Sequence, residues 1–181
     1  MRMKNNLMTA LLAAALCVMA PVAVPLGPIP VTLATLGVYL AAGLLGPWRG
    51  CAAVGLYLAL GALGVPVFAG FSGGFQQLAG PTGGFLWGYL LCALVIGLLC
   101  RVRNKALVPV WLLCGGLALY AMGCGWFAWQ THTPLWTAVV IGCVPCLPGE
   151  LVKIAVATGL ILSLRERVSR LLASGVKEQR L

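Results

Sequence analysis

The sequence predicts an all-α polytopic membrane protein of six transmembrane helices with an irregular, Gly/Pro-rich outer face. Three observations predict it. Of 181 residues, 61% are hydrophobic and only 8% charged, with mean hydropathy +1.03, whereas roughly a quarter of a soluble domain is charged. A spanning helix consumes about 20 apolar residues, so the chain holds at most about six or seven spans and no sizeable soluble domain. Residues 1–181 are expected to form one membrane domain. The third observation is that lysine and arginine recur only in alternate gaps between the apolar runs.

Those runs are Leu7 to Val24, Val31 to Leu45, Cys51 to Leu63, Phe85 to Cys100, Ala106 to Ala128, and Leu135 to Leu164, the last broken at Pro145 and Pro148. The second and third are short, so those spans must tilt, borrow flanking residues or sit in thin bilayer. With the N-terminus in the cytoplasm, Arg2 and Lys4 lie inside, followed by Arg49, by Arg101, Arg103 and Lys105, and by Arg165, Arg167, Arg170, Lys177 and Arg180. Eleven of the twelve basic residues then fall on the inner side. The positive-inside rule gives this pattern for six helices with both termini cytoplasmic, residues 165–181 forming a basic tail on the inner leaflet. The start, Met1 to Ala20, also has the layout of a signal peptide, whose removal would leave the orientation of the other five spans unchanged.

The net charge of +9 does not point to nucleic acid, because the basic residues are split among gaps and do not line one face. The acids are Glu150, Glu166 and Glu178, with no aspartate. Chemistries built on paired aspartates or Asp-rich metal motifs are thereby disfavoured.

Glycine and proline gather on the outer side, in Pro25-Leu26-Gly27-Pro28-Ile29-Pro30, Gly64 to Gly84, and Pro145 with Pro148. Such backbone cannot face lipid with its N–H and C=O groups unpaired, so it either makes tight turns or lines a wet cavity open outward. Glu150 and Lys153 are the ionisable pair within a span, where a charge costs roughly 2.5 to 3.5 kcal/mol. Pro148 suits a helix start, which places Glu150 in the first turn and Lys153 three residues on, along the same face. They form either a ligand-binding acceptor and donor or a structural ion pair.

Gly70-Phe71-Ser72-Gly73 is a GxSG pattern, and with Trp48-Arg49 in a loop it resembles rhomboid-like intramembrane serine proteases. Its general base would have to be His132, the only histidine, which sits in an outer connection with no device to position it. Eight cysteines are scattered, with one CxxC at Cys143 and Cys146. Partners for a metal are missing, leaving buried thiols or a Cys143–Cys146 disulfide in an oxidising exterior. Ala10 and Ala14 form a small-xxx-small pair that serves internal packing or a docking face. Phe68, Phe71, Phe85, Trp87 and Tyr89 flank the outer glycine cluster and could wall an apolar ligand, while Trp126 and Trp129 suit an interfacial belt.

Several segments together resemble the BioY family, the biotin-binding S components of energy-coupling factor (ECF) transporters. They are Gly27-Pro28-Ile29-Pro30-Val31-Thr32-Leu33, Gly43-Leu44-Leu45-Gly46-Pro47 followed by Arg49-Gly50, Gly64-Val65-Pro66-Val67-Phe68-Ala69-Gly70, Ser72-Gly73-Gly74, Gly80-Pro81-Thr82-Gly83-Gly84-Phe85, and Pro148-Gly149-Glu150-Leu151-Val152-Lys153. The resemblance implies a bacterial inner-membrane subunit without cofactor or metal that captures biotin from outside. It topples within a complex of a transmembrane coupling protein and two ATPases, and the chain indeed lacks a phosphate-binding GxxxxGK[ST] loop. Another small vitamin is the alternative ligand. By this resemblance Glu150 and Lys153 face the polar head of biotin, Ser72, Gly73, Gly74 and Gln76 or Gln77 close over it, Phe85 and Tyr89 pack on it, and Ala10 and Ala14 meet the coupling protein. Three positions depart from the family pattern: Glu150 where aspartate is usual, Ala34 where many relatives carry glutamine, and Ser72 where some place asparagine.

Overall fold

A computed structural model describes residues 2–24, 29–100 and 104–177. Pro25 to Pro28, Arg101, Arg103 and the last four residues, Arg180 among them, lie outside the described residues. The helices are α1 (Arg2–Met19), α2 (Ala34–Leu45), α3 (Pro47–Ala62), α4 (Phe75–Ala79), α5 (Gly83–Leu99), α6 (Val108–Thr131), α7 (Leu135–Gly142) and α8 (Leu147–Lys177). Among the described residues, Val108–Thr131 and Leu147–Arg165 are long and apolar enough to cross a membrane on their own, and Asn5–Met19, Ala34–Leu45 and Gly83–Leu99 are shorter apolar helices. Large apolar side chains are exposed around the bundle, among them Leu7, Leu11, Leu113, Leu117, Leu151 and Val152. A soluble protein could not carry so much exposed apolar surface, whereas lipid solvates it.

The first span ends earlier and the second begins later than the apolar runs suggest. Pro21 has no N–H to continue α1, and the chain turns into a two-stranded antiparallel ribbon, β1 (Ala23–Val24) with β2 (Val31–Thr32). The ribbon pairs backbone groups that would otherwise need water. α2, with 12 residues, is about 18 Å long. It resolves its shortness by being buried: Ala34, Thr35, Gly37, Val38, Tyr39, Ala41, Ala42 and Gly43 are covered, and the helix packs against α1, α3, α5 and α8. A helix enclosed by others has no need to match the bilayer.

Gly46, at φ 78, is the whole link from α2 to α3, and Pro47 occupies the start of α3. Arg49 therefore lies in the first turn of a helix and not in a loop, a correction to the sequence reading. The connection from Leu63 to Thr82 contains a short 3₁₀ turn (Ala69–Phe71) and α4. It is tied down on three sides. The Gly74 N–H donates to Gly61 O at 2.7 Å and the Gly70 N–H to Pro21 O at 3.1 Å. Trp126 Nε1 donates to Gly80 O at 3.0 Å and Gln130 Nε2 to Ala79 O at 3.2 Å. Trp126, expected in an interfacial belt, thus tethers this loop to α6, whereas Trp129 is 68% exposed.

The most extensive helix contact joins α5 to α6. Glycines permit the approach, with Gly84 beneath Trp126, Gly88 against Leu119, Gly115 beneath Ile96 and Gly123 beneath Phe85. The last apolar run divides at the anticipated place into α7, a turn at 143–146, and α8, whose first turn contains Pro148 and Glu150. At 31 residues α8 is about 46 Å long, longer than the hydrocarbon core. Arg165 Nη2 ties it to Cys100 O at the end of α5, 2.6 Å away.

Gly97 of α5 lies against the backbone of Gly46 and Pro47 at the α2–α3 corner, whereas Gly55 of α3 faces open space. Gly97→Val should cost about 1–3 kcal/mol through overpacking. Thermal melting in detergent should show a clear drop for Gly97→Val and almost none for Gly55→Val.

Candidate functional site

A cavity of about 340 Å³ opens among α2, α5, α6, α8, the ribbon and the outer connection. This is at the small end of the range for ligand pockets. Ile29, Pro30, Val31 and Thr32 supply one wall, and Phe85, Leu86 and Tyr89 of α5 face them. Phe68, Ala69, Ser72, Gln77 and Thr82 of the Leu63–Thr82 connection cover one end, while Thr35, Leu119, Tyr120, Cys146 and Lys153 line the remainder. The aromatic wall is braced from behind. Tyr57 meets the Phe68 ring edge-on with centroids 5.5 Å apart and Tyr89 at 6.5 Å, and Phe85 meets Tyr120 edge-on at 6.2 Å.

Polar chemistry converges around Lys153. Glu150 and Lys153 are 5% and 7% exposed, and Lys153 Nζ lies 3.2 Å from Glu150 Oε2. Lys153 also donates to Thr35 Oγ1 at 2.9 Å, and that hydroxyl faces Glu150 Oε2 at 3.5 Å, closing a small ring of amine, hydroxyl and carboxylate. Tyr120 donates to Oε2 at 3.1 Å and Tyr39 donates to Oε1. Helices α2, α6 and α8 therefore meet on one carboxylate. With donors on both oxygens, burial of the charge is compensated. Glu150 is not itself part of the cavity lining; its partners Thr35, Tyr120 and Lys153 are. An ammonium has three donors, and among the described residues two are taken, which leaves one for the cavity that Lys153 lines. Higher up, Thr32 Oγ1 and Tyr89 Oη lie 3.4 Å apart, a second polar point on an otherwise apolar wall.

Of the residues expected from the sequence, Ser72, Gln77, Phe85, Tyr89 and Lys153 line the cavity. Gly73, Gly74 and Gln76 do not. A side chain at Gly73 would meet the carbonyls of Gly64 and Val65, and Gly74 has φ 102, so the two glycines shape the loop. Gln76 is exposed, as is Phe71 at 70%, and Trp87 lies outside the lining. Ser72 Oγ donates to Ala69 O at 2.8 Å, a bond within its own turn. Ala10 and Ala14 are exposed on α1, whereas Ala13 is buried. All eight cysteines are free thiols, Cys143 and Cys146 included. The sequence reading missed Thr35, Tyr39 and Tyr120. Thr35 and Tyr39 are four residues apart, hence on one helix face, and hydroxyls within apolar runs require partners.

The chain matches the BioY family over residues 1–170. It belongs to the BioY family. The biotin transporter BioY of Thermotoga maritima is 39% identical over 168 residues, covering 91% of this chain and 97% of that protein. The biotin transporter BioY of Rhodobacter capsulatus is 43% identical over 173 residues, covering 84% and 88%. A crystal structure of the S-component for biotin from an ECF-type ABC transporter superposes with TM-score 0.84 at 28% identity, covering 91% of this chain and 92% of that one. As a BioY protein the chain is an all-α polytopic membrane protein and a transport subunit rather than an enzyme, which sets aside the protease reading of Ser72 and His132.

Two outcomes follow from the polar cluster. Lys153→Met leaves Glu150 buried without its cation and should cost about 3–5 kcal/mol, while Lys153→Met combined with Glu150→Leu should recover much of that loss, as read by thermal melting of the single and double variants. Gly116 of α6 gives the Tyr39 hydroxyl its room, since a Cβ there would sit 2.7 Å from the oxygen. Gly116→Ala should therefore lower the melting temperature about as much as Tyr39→Phe, and the two changes together should add little further.

Proposed function

We propose that this chain is the membrane subunit that captures biotin for an ECF-type uptake transporter, holding it in the cavity between the outer connection and the Glu150–Lys153 cluster. The observation that carries the reading is the uncommitted donor of Lys153 in a cavity whose walls are mostly apolar. Biotin has matching chemistry: a ureido group with two N–H donors and a carbonyl, an apolar bicycle and chain, and a carboxylate. Lys153 donates to an acceptor oxygen of biotin, Thr35 and Tyr120 complete the polar floor, and Phe85 and Tyr89 pack on the apolar part. Ser72 and Gln77 close the outer end. Glu150 acts from behind, fixing Lys153 and the two hydroxyls. The names of the similar proteins in Thermotoga maritima and Rhodobacter capsulatus support biotin over another vitamin.

The membrane arrangement we infer has six crossings, made by α1, α2, α3, α5, α6 and the α7–α8 unit, in one domain with both termini in the cytoplasm of a bacterial inner membrane and residues 165–181 as the basic tail. The alternation of basic and uncharged gaps supports this. Ala10 and Ala14, lying on a face of α1 with exposed Leu7, Leu11 and Val18, form the docking stripe for the transmembrane coupling protein. Two ATPases attached to that protein supply the energy.

Calorimetry on the detergent-purified protein should give saturable biotin binding and none with an unrelated vitamin. Lys153→Ala should weaken it by tens to thousands of fold, on the order of 2–5 kcal/mol; unchanged affinity would remove Lys153 from the site. Replacing both Ala10 and Ala14 by Trp should abolish biotin uptake in cells that carry the whole transporter while calorimetric binding persists.

A further inference from the structure

Three cysteines gather beside the cavity, and their geometry is not the one that the CxxC spacing suggests. Cys143 Sγ lies 3.7 Å from Cys124 Sγ, across the contact between α6 and the turn that links α7 to α8. Cys146, at the other end of that turn, lines the cavity. Cys124 is 2% exposed and Cys143 is half-buried. We propose that Cys124 and Cys143 are a disulfide site, a redox staple that fastens α6 to the α7–α8 turn at the outer end of the binding cavity.

The two sulfurs are already in contact, and a bonded pair needs them to close to about 2.0 Å. The unequal exposure sets the order of events. Cys143 as thiolate attacks a disulfide-bearing oxidant, forming a mixed disulfide and releasing one oxidant thiol. Cys124 then gives up its proton and attacks the Cys143 sulfur, expelling the second thiol. Two protein thiols lose two protons and two electrons, and the oxidant disulfide becomes two thiols. The compartment suits the reaction because this end faces outward in the topology proposed above, and exteriors are oxidising.

Position gives the bond a purpose. Tyr120, one turn before Cys124 on α6, donates to Glu150, which stands one turn beyond Cys146. A staple between Cys124 and Cys143 therefore fixes the separation of the two elements whose side chains meet on the buried carboxylate. Gly142 makes the approach tight, since a Cβ there would be 3.2 Å from Cys124 Sγ.

The test begins with purified wild-type protein exposed to oxidised glutathione, with remaining thiols alkylated and the chain digested without reductant. A Cys124–Cys143 linked peptide is expected, together with a melting temperature about 5 °C higher than that of the reduced protein. Cys146→Ser should leave linkage and shift intact, and Cys124→Ser should abolish both. A Cys143–Cys146 link in the wild type, eight alkylated thiols, or identical melting of oxidised and reduced protein would each overturn the proposal. Cells whose thiols are trapped with a permeant alkylating agent at harvest should also yield the linked peptide. If the bond forms in purified protein but not in cells, the physiological staple is overturned through its compartment, while the biotin-binding reading, tested by calorimetry, is untouched.

Discussion

Everything at the Lys153 end of the cavity depends on the burial of one carboxylate among the helices. Glu150 is affordable there only because an ammonium, two phenols and a threonine hydroxyl come to it from three helices. Each donor fixes the position of an element. Tyr39 and Thr35 anchor α2, Tyr120 anchors α6, and Lys153 sets the register of α8 against both. Association of helices in lipid has little hydrophobic driving force, so polar contacts and close packing must specify the arrangement. The cluster meets that need, and three of its members, Thr35, Tyr120 and Lys153, also line the cavity. In the proposed function, stability and recognition thus share the same side chains.

The end of the cavity beneath the Leu63–Thr82 connection solves a different problem. Irregular backbone around a cavity in a membrane protein lies where lipid cannot satisfy its N–H and C=O groups. The ribbon of Ala23–Val24 with Val31–Thr32 pairs part of that backbone, and the connection from Leu63 to Thr82 is bonded to the ends of α1, α3 and α6. Trp126 contributes twice, covering Gly84 while its indole N–H holds Gly80. The connection is held at its edges, while Ser72 and Gln77 reach the cavity from its middle. Apolar side chains such as Phe71 and Phe75 turn outward, where lipid can cover them.

How much of this was legible in the sequence differs between the two ends. The apolar runs located five helices to within a few residues, and the pair of prolines near 145–148 marked the break between α7 and α8. Glu150 and Lys153 stood out because charge is rare in such a chain. Their partners did not, since Thr35, Tyr39 and Tyr120 look like ordinary members of apolar helices until tertiary packing brings three of them together. The short second run predicts a span that tilts, borrows flanking residues or sits in thin bilayer, because sequence shows length but not enclosure; α2 is surrounded by other helices. The helical start at Pro47 was hidden by Arg49, whose charge suggested a loop although proline is favoured in a helix's first turn. Likewise Gly73 and Gly74 suggested a backbone cradle, but a glycine run marks where the chain must bend or pass closely, and here the close neighbours are Gly64 and Val65.

The length of the side chain at residue 150 has a physical consequence. Glutamate places its carboxylate one methylene farther from α8 than an aspartate would, and the longer arm reaches Tyr39 on α2 and Tyr120 on α6 at once. The carboxylate is then enclosed by donors from the protein and withdrawn from the cavity wall, so the member of the pair that lines the cavity is the ammonium of Lys153. Under the proposed function, such a site recognises an acceptor through a cation whose position is fixed by a buried anion. In that reading the anion contributes through geometry, because the paired charges cancel at a distance and the direction of the remaining N–H is what a guest meets. Selectivity then comes from where that donor points relative to the aromatic wall of Phe85 and Tyr89, and Gly116, which is outside the cavity lining, helps to set it by leaving space for the Tyr39 hydroxyl.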